Sequence, residues 1–303
     1  MLNQETDQHW VSAHVFTAHP LDLVLSRLVP DVLDESRQRE LCDQYFFIRH
    51  WQSGPHLRLR LRAASPNAEP ELRELLAKHA AAFFQSSPPS TQMTDSQYRA
   101  LAARLSALEP GSEAGDLAPN DSLAFIDYRP ETGKYGHGRA LRAVEECFST
   151  CSELALAAVA ADSDPAQRLA HCFALLAGVL GPAAHPKARQ PSSAVEQYRR
   201  RRPALLPVAR AARAAASATA ETGSDPLTRW FASFRRARDL AADPDRLADH
   251  LTHLACNRLG VRLDQEATLR SLAVLAVHDC TSDSHDSHAS HDTDADSDAD
   301  SDD

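Results

Sequence analysis

The stretch from Tyr45 to Arg62, YFFIRHWQSGPHLRLRLR, constrains the fold of this chain more than any other part of it. Its second half alternates strictly between leucines and basic residues. The basic side consists of His56, Arg58, Arg60 and Arg62. A period of two residues predicts a half-buried strand. The Gly-Pro break that precedes it predicts an antiparallel hairpin with a strand at 45–51.

The row of cations on one face of this strand needs an explanation. Adjacent positive side chains repel one another unless an anion lies among them. One interpretation is a basic strand edge that faces solvent. The other is a face that binds a carboxylate or a phosphate, and the sequence leaves both open.

The order of the remaining patterns indicates an α+β fold, because strands come early and helices late. Further strands are predicted at Trp10–Thr17 and Leu123–Tyr128, with an irregular, glycine-containing segment at Arg129–Gly138. The predicted helices are Leu21–Leu33, Glu71–Phe84, Met93–Leu108, Ala140–Ala161, Asp164–Leu180, Ala204–Glu221, Leu227–Ala242, Asp245–Leu259 and Gln265–Val277. The expected architecture is a small, mainly antiparallel sheet in the N-terminal half, packed with a helix-rich C-terminal half.

Charge and composition divide the chain into a folded body and a tail. The net charge is −10, but residues 281–303 carry nine aspartates and no Lys or Arg, so the body is near −1. This gives no reason to expect a direct nucleic-acid partner. The tail is almost entirely Ser, Asp and His, and we expect it to be disordered. Residues 1–280 are predicted to form one domain.

Localisation follows from what the sequence does not contain. No apolar stretch is long enough to span a membrane, and the N-terminus lacks the apolar region of a signal peptide. The six cysteines are scattered, without a CxxC pair or a disulfide framework. We therefore expect a reduced, cytoplasmic protein with no membrane partner.

Three clusters contain the residue types that chemistry needs. The first is His56, Arg58 and Arg60. The second follows a predicted strand and reads YRPETGKYG, with Glu131, Lys134 and Tyr135. The third lies in a late helix and contains His253, Asn257 and Arg258. Each also has a plain structural interpretation, such as a Glu131–Lys134 ion pair or a helix cap. No phosphate loop or metal-binding motif is present, so we expect neither a metal nor a cofactor.

These three motifs together resemble a known family. FFIRHWQSGPHLRLRLR, YRPETGKYG and HLACNRLG, in this order, are similar to the thiopeptide-type bacteriocin biosynthesis family, which resembles the C-terminal glutamate-elimination domain of class I lantibiotic dehydratases. The resemblance covers about His9 to Val277. Three positions depart from the family pattern. Lys134 stands where the family has arginine, His137 interrupts the glycine pair that follows as Gly136-His137-Gly138, and His50 stands where the family usually has tyrosine.

The resemblance implies a stand-alone elimination component of a split peptide dehydratase. It would convert glutamylated Ser or Thr of a ribosomal precursor peptide to dehydroalanine or dehydrobutyrine. The implied partners are the precursor peptide, with its leader and core, and a separate glutamyl-tRNA-dependent glutamylating protein; a homodimer is left open. The implied catalytic residues are His253, Arg58, Arg60 and Lys134. The implied substrate-binding residues are His56, Glu131, Tyr135, Asn257 and Arg258.

Two other functions fit the same resemblance. Relatives in thiopeptide pathways join two dehydroalanines in a [4+2] cycloaddition that forms a pyridine-type macrocycle. Such an enzyme does not bind a glutamyl group, so the two neighbouring arginines, Arg58 and Arg60, would have a smaller role in it. The departures at Lys134 and His137 motivate a third hypothesis, a non-catalytic partner that binds the leader peptide.

Overall fold

A four-stranded antiparallel sheet is the centre of the N-terminal half. The computed structural model describes residues 9–87, 92–107, 114–162, 164–180, 190–218 and 225–289. The strands are β1 (Trp10–Phe16), β2 (Cys42–His50), β3 (His56–Ala63) and β4 (Ser122–Phe125), and their order in the sheet is β2-β3-β1-β4. The predicted hairpin is confirmed, since β2 and β3 pair in antiparallel register.

The alternation in β3 divides the sheet into two faces. Leu57, Leu59 and Leu61 are fully buried. On the other face, Arg58 has His14 of β1 as its cross-strand partner, and Arg60 has Phe46 of β2. We call this second side the cationic face. Because a strand presents alternate residues to opposite sides, these neighbours follow directly from the register.

The helices of the N-terminal half connect the strands of this sheet. They are α1 (Leu21–Leu23), a π-helical turn (Val24–Leu28), α2 (Val29–Gln38), α3 (Ala68–Ser86) and α4 (Asp95–Ser106). The first three run on without a break, so the helix predicted at Leu21–Leu33 continues to Gln38. Helices α2 and α3 pack against the sheet. A one-turn helix, α5 (Thr132–Tyr135), interrupts the segment predicted as irregular. Gly136 ends it with a φ of 77°, a conformation that suits glycine.

Three helices of the C-terminal half belong to the same compact unit as the sheet. That unit contains residues 1–168 and 220–263, and its helices are α6 (Arg139–Ala160), α9 (Pro226–Asp239) and α10 (Pro244–Arg258). Helix α6 packs against β2 and α9. Helix α10 begins where the Asp243 side chain accepts a hydrogen bond from the backbone N–H of Arg246 at 3.0 Å.

The second compact unit contains residues 169–219 and 264–303. Its helices are α8 (Ser192–Ser217) and α11 (Leu263–Ala289), while α7 (Pro165–Val179) crosses the boundary between the units. The predicted break before Ala204 is wrong, because α8 is one helix with Pro203 and Pro207 inside it. Its buried residues lie on both sides of these prolines, so packing holds the two ends in one helix.

The predicted boundary of the tail falls inside α11. This helix continues past Val277 as far as Ala289, and residues 290–303 lie outside the described part of the chain. The ends of the predicted helices at Leu108 and Glu221 lie outside it as well. The single domain at 1–280 and the disordered tail at 281–303 stay predictions. Among the described helices, none is long and apolar enough to cross a membrane.

Candidate functional site

Neutral groups hold the Arg58 side chain in place. Its Nε donates to Nε2 of His56 at 3.1 Å, and a terminal nitrogen donates to Oε1 of Gln52 at 3.3 Å. His56 in turn donates from Nδ1 to the carbonyl of Gly54 at 2.9 Å. Since arginine only donates, this arrangement requires a neutral His56 with its proton on Nδ1. Burial, followed by the charge of Arg60, lowers the pKa of Arg58 to about 10.

Aromatic rings hold the Arg60 side chain. Its guanidinium carbon lies 4.6 Å from the ring centroid of Tyr128 and 5.4 Å from that of Phe46. Trp10 packs edge-on against both rings, at centroid distances of 5.6 and 4.9 Å. These contacts stabilise a cation without using its N–H donors. The Nε of Arg60 is buried and has no hydrogen-bond partner within the described residues.

Neither arginine forms an ion pair with a carboxylate anywhere in the described part of the chain. The neighbouring arginines of the same sheet do. Arg62 makes two bonds to Asp43, at 2.7 and 3.0 Å, and Arg49 bonds to Asp22 at 2.6 Å. A buried cation without an anion is costly. Arg58 and Arg60 therefore form a site that is electrostatically suited to a carboxylate ligand.

A cluster of three histidines borders Arg58. The ring centroid of His56 lies 4.9 Å from that of His14 and 5.2 Å from that of His50. Burial first, and the charge of Arg58 second, lowers the pKa of His14 to about 3 and that of His50 to about 2. The pKa of His56 falls to about 4, again chiefly through burial. All three rings are neutral near pH 7. No sequence pattern had singled out His14.

The second motif lies within electrostatic reach of the cationic face. Lys134 Nζ bonds to Oε2 of Glu131 at 3.0 Å, so the ion pair that the sequence allowed is present. Tyr135 is buried, and burial together with the charge of Glu131 raises its pKa. After burial and the charge of Arg60, the Glu131 carboxylate acts on the pKa of Arg58 and partly restores it. The structure thus brings the first two predicted clusters together.

A buried acid behind Arg60 was not found from the sequence. Glu145 of α6 is 1% exposed, and burial raises its pKa against the opposing effect of a hydrogen bond with the Tyr128 hydroxyl. Its Oε2 has no partner within the described residues. Glu145 therefore anchors the ring that holds Arg60. A lone glutamate in an alanine-rich helix gives no signal of this kind.

Helix α10 joins the third cluster to the edge of the sheet. The Asn257 amide accepts from the backbone N–H of Arg49 and donates to its carbonyl, both at 3.0 Å. The Arg258 side chain is buried and donates to Ser152 Oγ at 3.2 Å and to the Leu254 carbonyl at 3.1 Å. These contacts give both residues a role in the fold, and their role in substrate binding stays a prediction.

Two histidines of α10 lie on the helical turns that precede Asn257. His253 is partly exposed and is placed one turn before Asn257, on the same face of the helix. One turn earlier, His250 has a buried Nε2 with no partner within the described residues. Burial and then the charge of Lys134 lower the pKa of His250, which places this turn of α10 near the Glu131–Lys134 pair. No sequence pattern pointed to His250.

Two other observations limit the chemistry of the site. No group of His, Cys, Asp and Glu side chains in the described residues is arranged to hold a metal ion. A cavity of about 720 Å³ opens between the sheet edge, α6 and α9, and Arg62 is the residue of the cationic row that lines it. We place the candidate site at Arg58 and Arg60 rather than in this cavity, because Arg62 already has its carboxylate partner.

Comparison with known proteins identifies the family. The family model for the C-terminal part of lantibiotic biosynthesis dehydratases matches residues 10–277. The chain therefore belongs to this family, which confirms the resemblance predicted from the three motifs. No curated protein matches the sequence.

Solved structures show the same fold. The pyridine synthase TbtD from thiomuracin biosynthesis has a TM-score of 0.68 and 19% identity, with 90% of this chain and 98% of that chain covered. The protein TsrL has a TM-score of 0.53 and 18% identity, covering 91% and 96%. The tRNA-dependent lantibiotic dehydratase MibB from Microbispora sp. 107891 has a TM-score of 0.57 and 20% identity, covering 94% of this chain and 29% of that chain.

Proposed function

We propose that this protein eliminates glutamate from glutamylated Ser or Thr residues of a ribosomal precursor peptide, leaving dehydroalanine or dehydrobutyrine. The observation that supports this most is the pair of half-buried arginines, Arg58 and Arg60, without a carboxylate partner in the described residues. A glutamyl ester offers a side-chain carboxylate and releases a second carboxylate when it leaves. Guanidinium groups bind such groups in a planar, bidentate manner.

The roles of the residues follow from what a β-elimination requires. A base removes the α-proton of the modified residue, and the bond from Cβ to the ester oxygen breaks, so that glutamate leaves as a carboxylate. His253 is the proposed base, since histidine exchanges protons near neutral pH. Arg58 and Arg60 stabilise the departing carboxylate. Lys134, with Glu131 and Tyr135 beside it, positions the glutamyl group, and His56 orients Arg58.

The proposed partners follow from the same chemistry. A separate glutamyl-tRNA-dependent protein would supply the glutamylated peptide in the cytoplasm, and the leader and core of the precursor would be bound without a direct nucleic-acid or membrane contact. Similarity to the tRNA-dependent lantibiotic dehydratase MibB supports a glutamyl-tRNA-dependent source of the substrate.

The test is an assay with purified protein and a glutamylated precursor peptide. Mass spectrometry should detect loss of a glutamate-sized mass for each modified residue. Arg62→Gln is a matched control, because Arg62 lies in the same row but is paired with Asp43. Arg58→Gln should lose the reaction while Arg62→Gln keeps it. No loss of mass above background with the matched peptide and wild-type protein would contradict the proposal.

The alternative is the [4+2] cycloaddition that forms a pyridine-type macrocycle. Similarity to the pyridine synthase TbtD over 98% of that chain favours it. This reaction begins from a peptide that already contains dehydroalanines, so such a peptide distinguishes the two functions. Cyclisation of it by the wild-type protein, with no action on the glutamylated peptide, would establish the alternative. Full dehydration in a deletion strain would instead indicate a non-catalytic, leader-binding partner.

A further inference from the structure

His14 stands directly beside the unpaired Arg58. The two residues are cross-strand partners in β1 and β3. Hydrogen bonds from Thr17 N to Pro55 O and from Ala63 N to His9 O mark the hydrogen-bonded pairs of these strands. Because such pairs alternate with non-hydrogen-bonded ones, His14 and Arg58 form a non-hydrogen-bonded pair, with Cα atoms about 4.5 Å apart and side chains close together.

The His14 ring is fixed in position but its nitrogens are not used. It stacks on His56 at a centroid distance of 4.9 Å and an angle of 23°, and the residue is 8% exposed. Neither ring nitrogen has a hydrogen-bond partner within the described residues, and neither is fully buried. The depressed pKa, about 3 through burial and the neighbouring cations, keeps the ring neutral. His14 therefore presents one N–H donor that no group of the described residues accepts.

We propose that His14 is a catalytic hydrogen-bond donor to the substrate's peptide carbonyl oxygen, the one attached to the carbon that loses its proton. This inference rests on the proposed elimination function. When the base takes the α-proton, the electrons of the C–H bond move towards this oxygen as an enolate. They return to form the Cα=Cβ double bond as the Cβ–O bond breaks, and that bond's electron pair leaves with glutamate. His14 transfers no proton in this scheme.

His14 and Arg58 are assigned different roles in the reaction because one is neutral and the other is positively charged. A departing carboxylate carries a full negative charge, which a guanidinium matches. The carbonyl oxygen becomes negative only during the reaction, and a fixed neutral donor stabilises it without holding the ground state strongly. The two oxygens belong to one modified residue and are only a few bonds apart. Neighbouring donors on adjacent strands suit this spacing.

The test compares variants at His14 in the elimination assay. His14→Phe keeps the flat ring that stacks on His56 but has no donor, and we expect kcat to fall by about 10²–10³-fold, the usual cost of one such donor, with KM little changed. His14→Asn places an amide N–H near the position of Nδ1 and His14→Gln places one near that of Nε2, so one of the two should recover part of the loss. His14→Leu, which has no donor, serves in place of His14→Phe if the aromatic variant does not fold.

The outcomes separate this inference from the proposed function. A kcat of His14→Phe within about twofold of wild type would overturn it, because the loss of an oxyanion donor costs far more than that. The elimination function would stand in that case, provided Arg58→Gln is inactive. A loss confined to KM would also overturn it, since it would mean a role in binding only. Wild-type protein that eliminates nothing would contradict the proposed function itself.

Discussion

Two arginines of neighbouring strands, Arg49 and Arg58, have opposite surroundings. Arg49 bonds to Asp22 at 2.6 Å and to the Arg258 carbonyl at 3.0 Å, and Asp22 also bonds Arg168. Within the described residues, the Arg58 side chain donates hydrogen bonds only to a histidine and a glutamine side chain. In the first arrangement a carboxylate bonds directly to the guanidinium, and this ion pair belongs to the fold. The second leaves a positive charge that the described residues do not balance. The comparison shows that an arginine with a carboxylate partner stabilises the fold, whereas one without such a partner is suited to binding an anion.

The largest expected effect comes from removing the unpaired charges. Arg58→Gln with Arg60→Gln should lower kcat/KM for elimination by about 10²–10⁴-fold, because each charge-assisted contact contributes about 1.5–3 kcal/mol. The rate of mass loss measures it. The single variant Arg62→Gln should retain activity near that of wild type, since its carboxylate partner is Asp43. Equal losses in the two proteins would remove the distinction between paired and unpaired arginines.

The second-largest expected effect is a difference in acid sensitivity between the histidine cluster beside Arg58 and the Arg49–Asp22 pair. His14, His50 and His56 have folded-state pKa values of about 3, 2 and 4, below the ordinary value near 6.5. The unfolded chain therefore binds more protons below pH 6.5. The contribution of this cluster to the free energy of unfolding has its full value above pH 6.5. It falls by up to about 1.4 kcal/mol per pH unit for each histidine as the pH drops towards 4.

The paired region should respond only at lower pH. Burial raises the pKa of Asp22, but the charges and hydrogen bonds of Arg49 and Arg168 outweigh it, so the pKa lies below its ordinary value. Stability from this pair is complete above pH 4 and is lost below it. Urea unfolding between pH 7 and pH 4 measures the histidine contribution. His14→Phe should reduce its slope by about a third, and an unchanged slope would contradict the neutral cluster.

A smaller effect is expected from Asn257, which binds the backbone of the paired residue Arg49. Asn257→Ala removes both hydrogen bonds to the backbone of Arg49 and leaves two groups of an edge strand without partners. We expect a loss of about 2 kcal/mol in the free energy of unfolding. Asn257→Asp is the matched comparison, since it can still accept from the Arg49 N–H. Activity lost without any change in stability would instead assign Asn257 to substrate binding.

The smallest effect concerns Lys134, where the chain departs from its family. Lysine provides a charge but lacks the planar fork of arginine. Lys134→Arg should therefore lower KM for the glutamylated peptide by about fivefold, equivalent to one additional contact of about 1 kcal/mol. Steady-state kinetics measure this. A higher KM would show that the surroundings of Glu131 and His250 are adapted to lysine.

The sequence predicted the sheet far better than the site. Alternation in β3 predicted its two faces and the hairpin, since period two is determined locally. This alternation alone could not distinguish Arg58 from Arg62, because the difference is the carboxylate of Asp43 on the neighbouring strand. Only the family resemblance separated them, since it assigned roles to Arg58 and Arg60. Sequence patterns also missed His14 and Glu145, whose importance depends on strand register and helix packing. Helix α8 begins well before the start predicted at Ala204, because packing on both sides of Pro203 and Pro207 outweighs local propensity.

The most direct test of the unpaired arginines is a nitrogen NMR titration of the arginine side chains with L-glutamate. This amino acid carries the two carboxylates of the proposed leaving group and requires no knowledge of the precursor peptide. The account predicts saturable shifts of the Nε signals of Arg58 and Arg60, assigned through their glutamine variants, while those of Arg49 and Arg62 stay in place. Unchanged signals of Arg58 and Arg60 at saturating glutamate, or equal shifts for all four arginines, would contradict it.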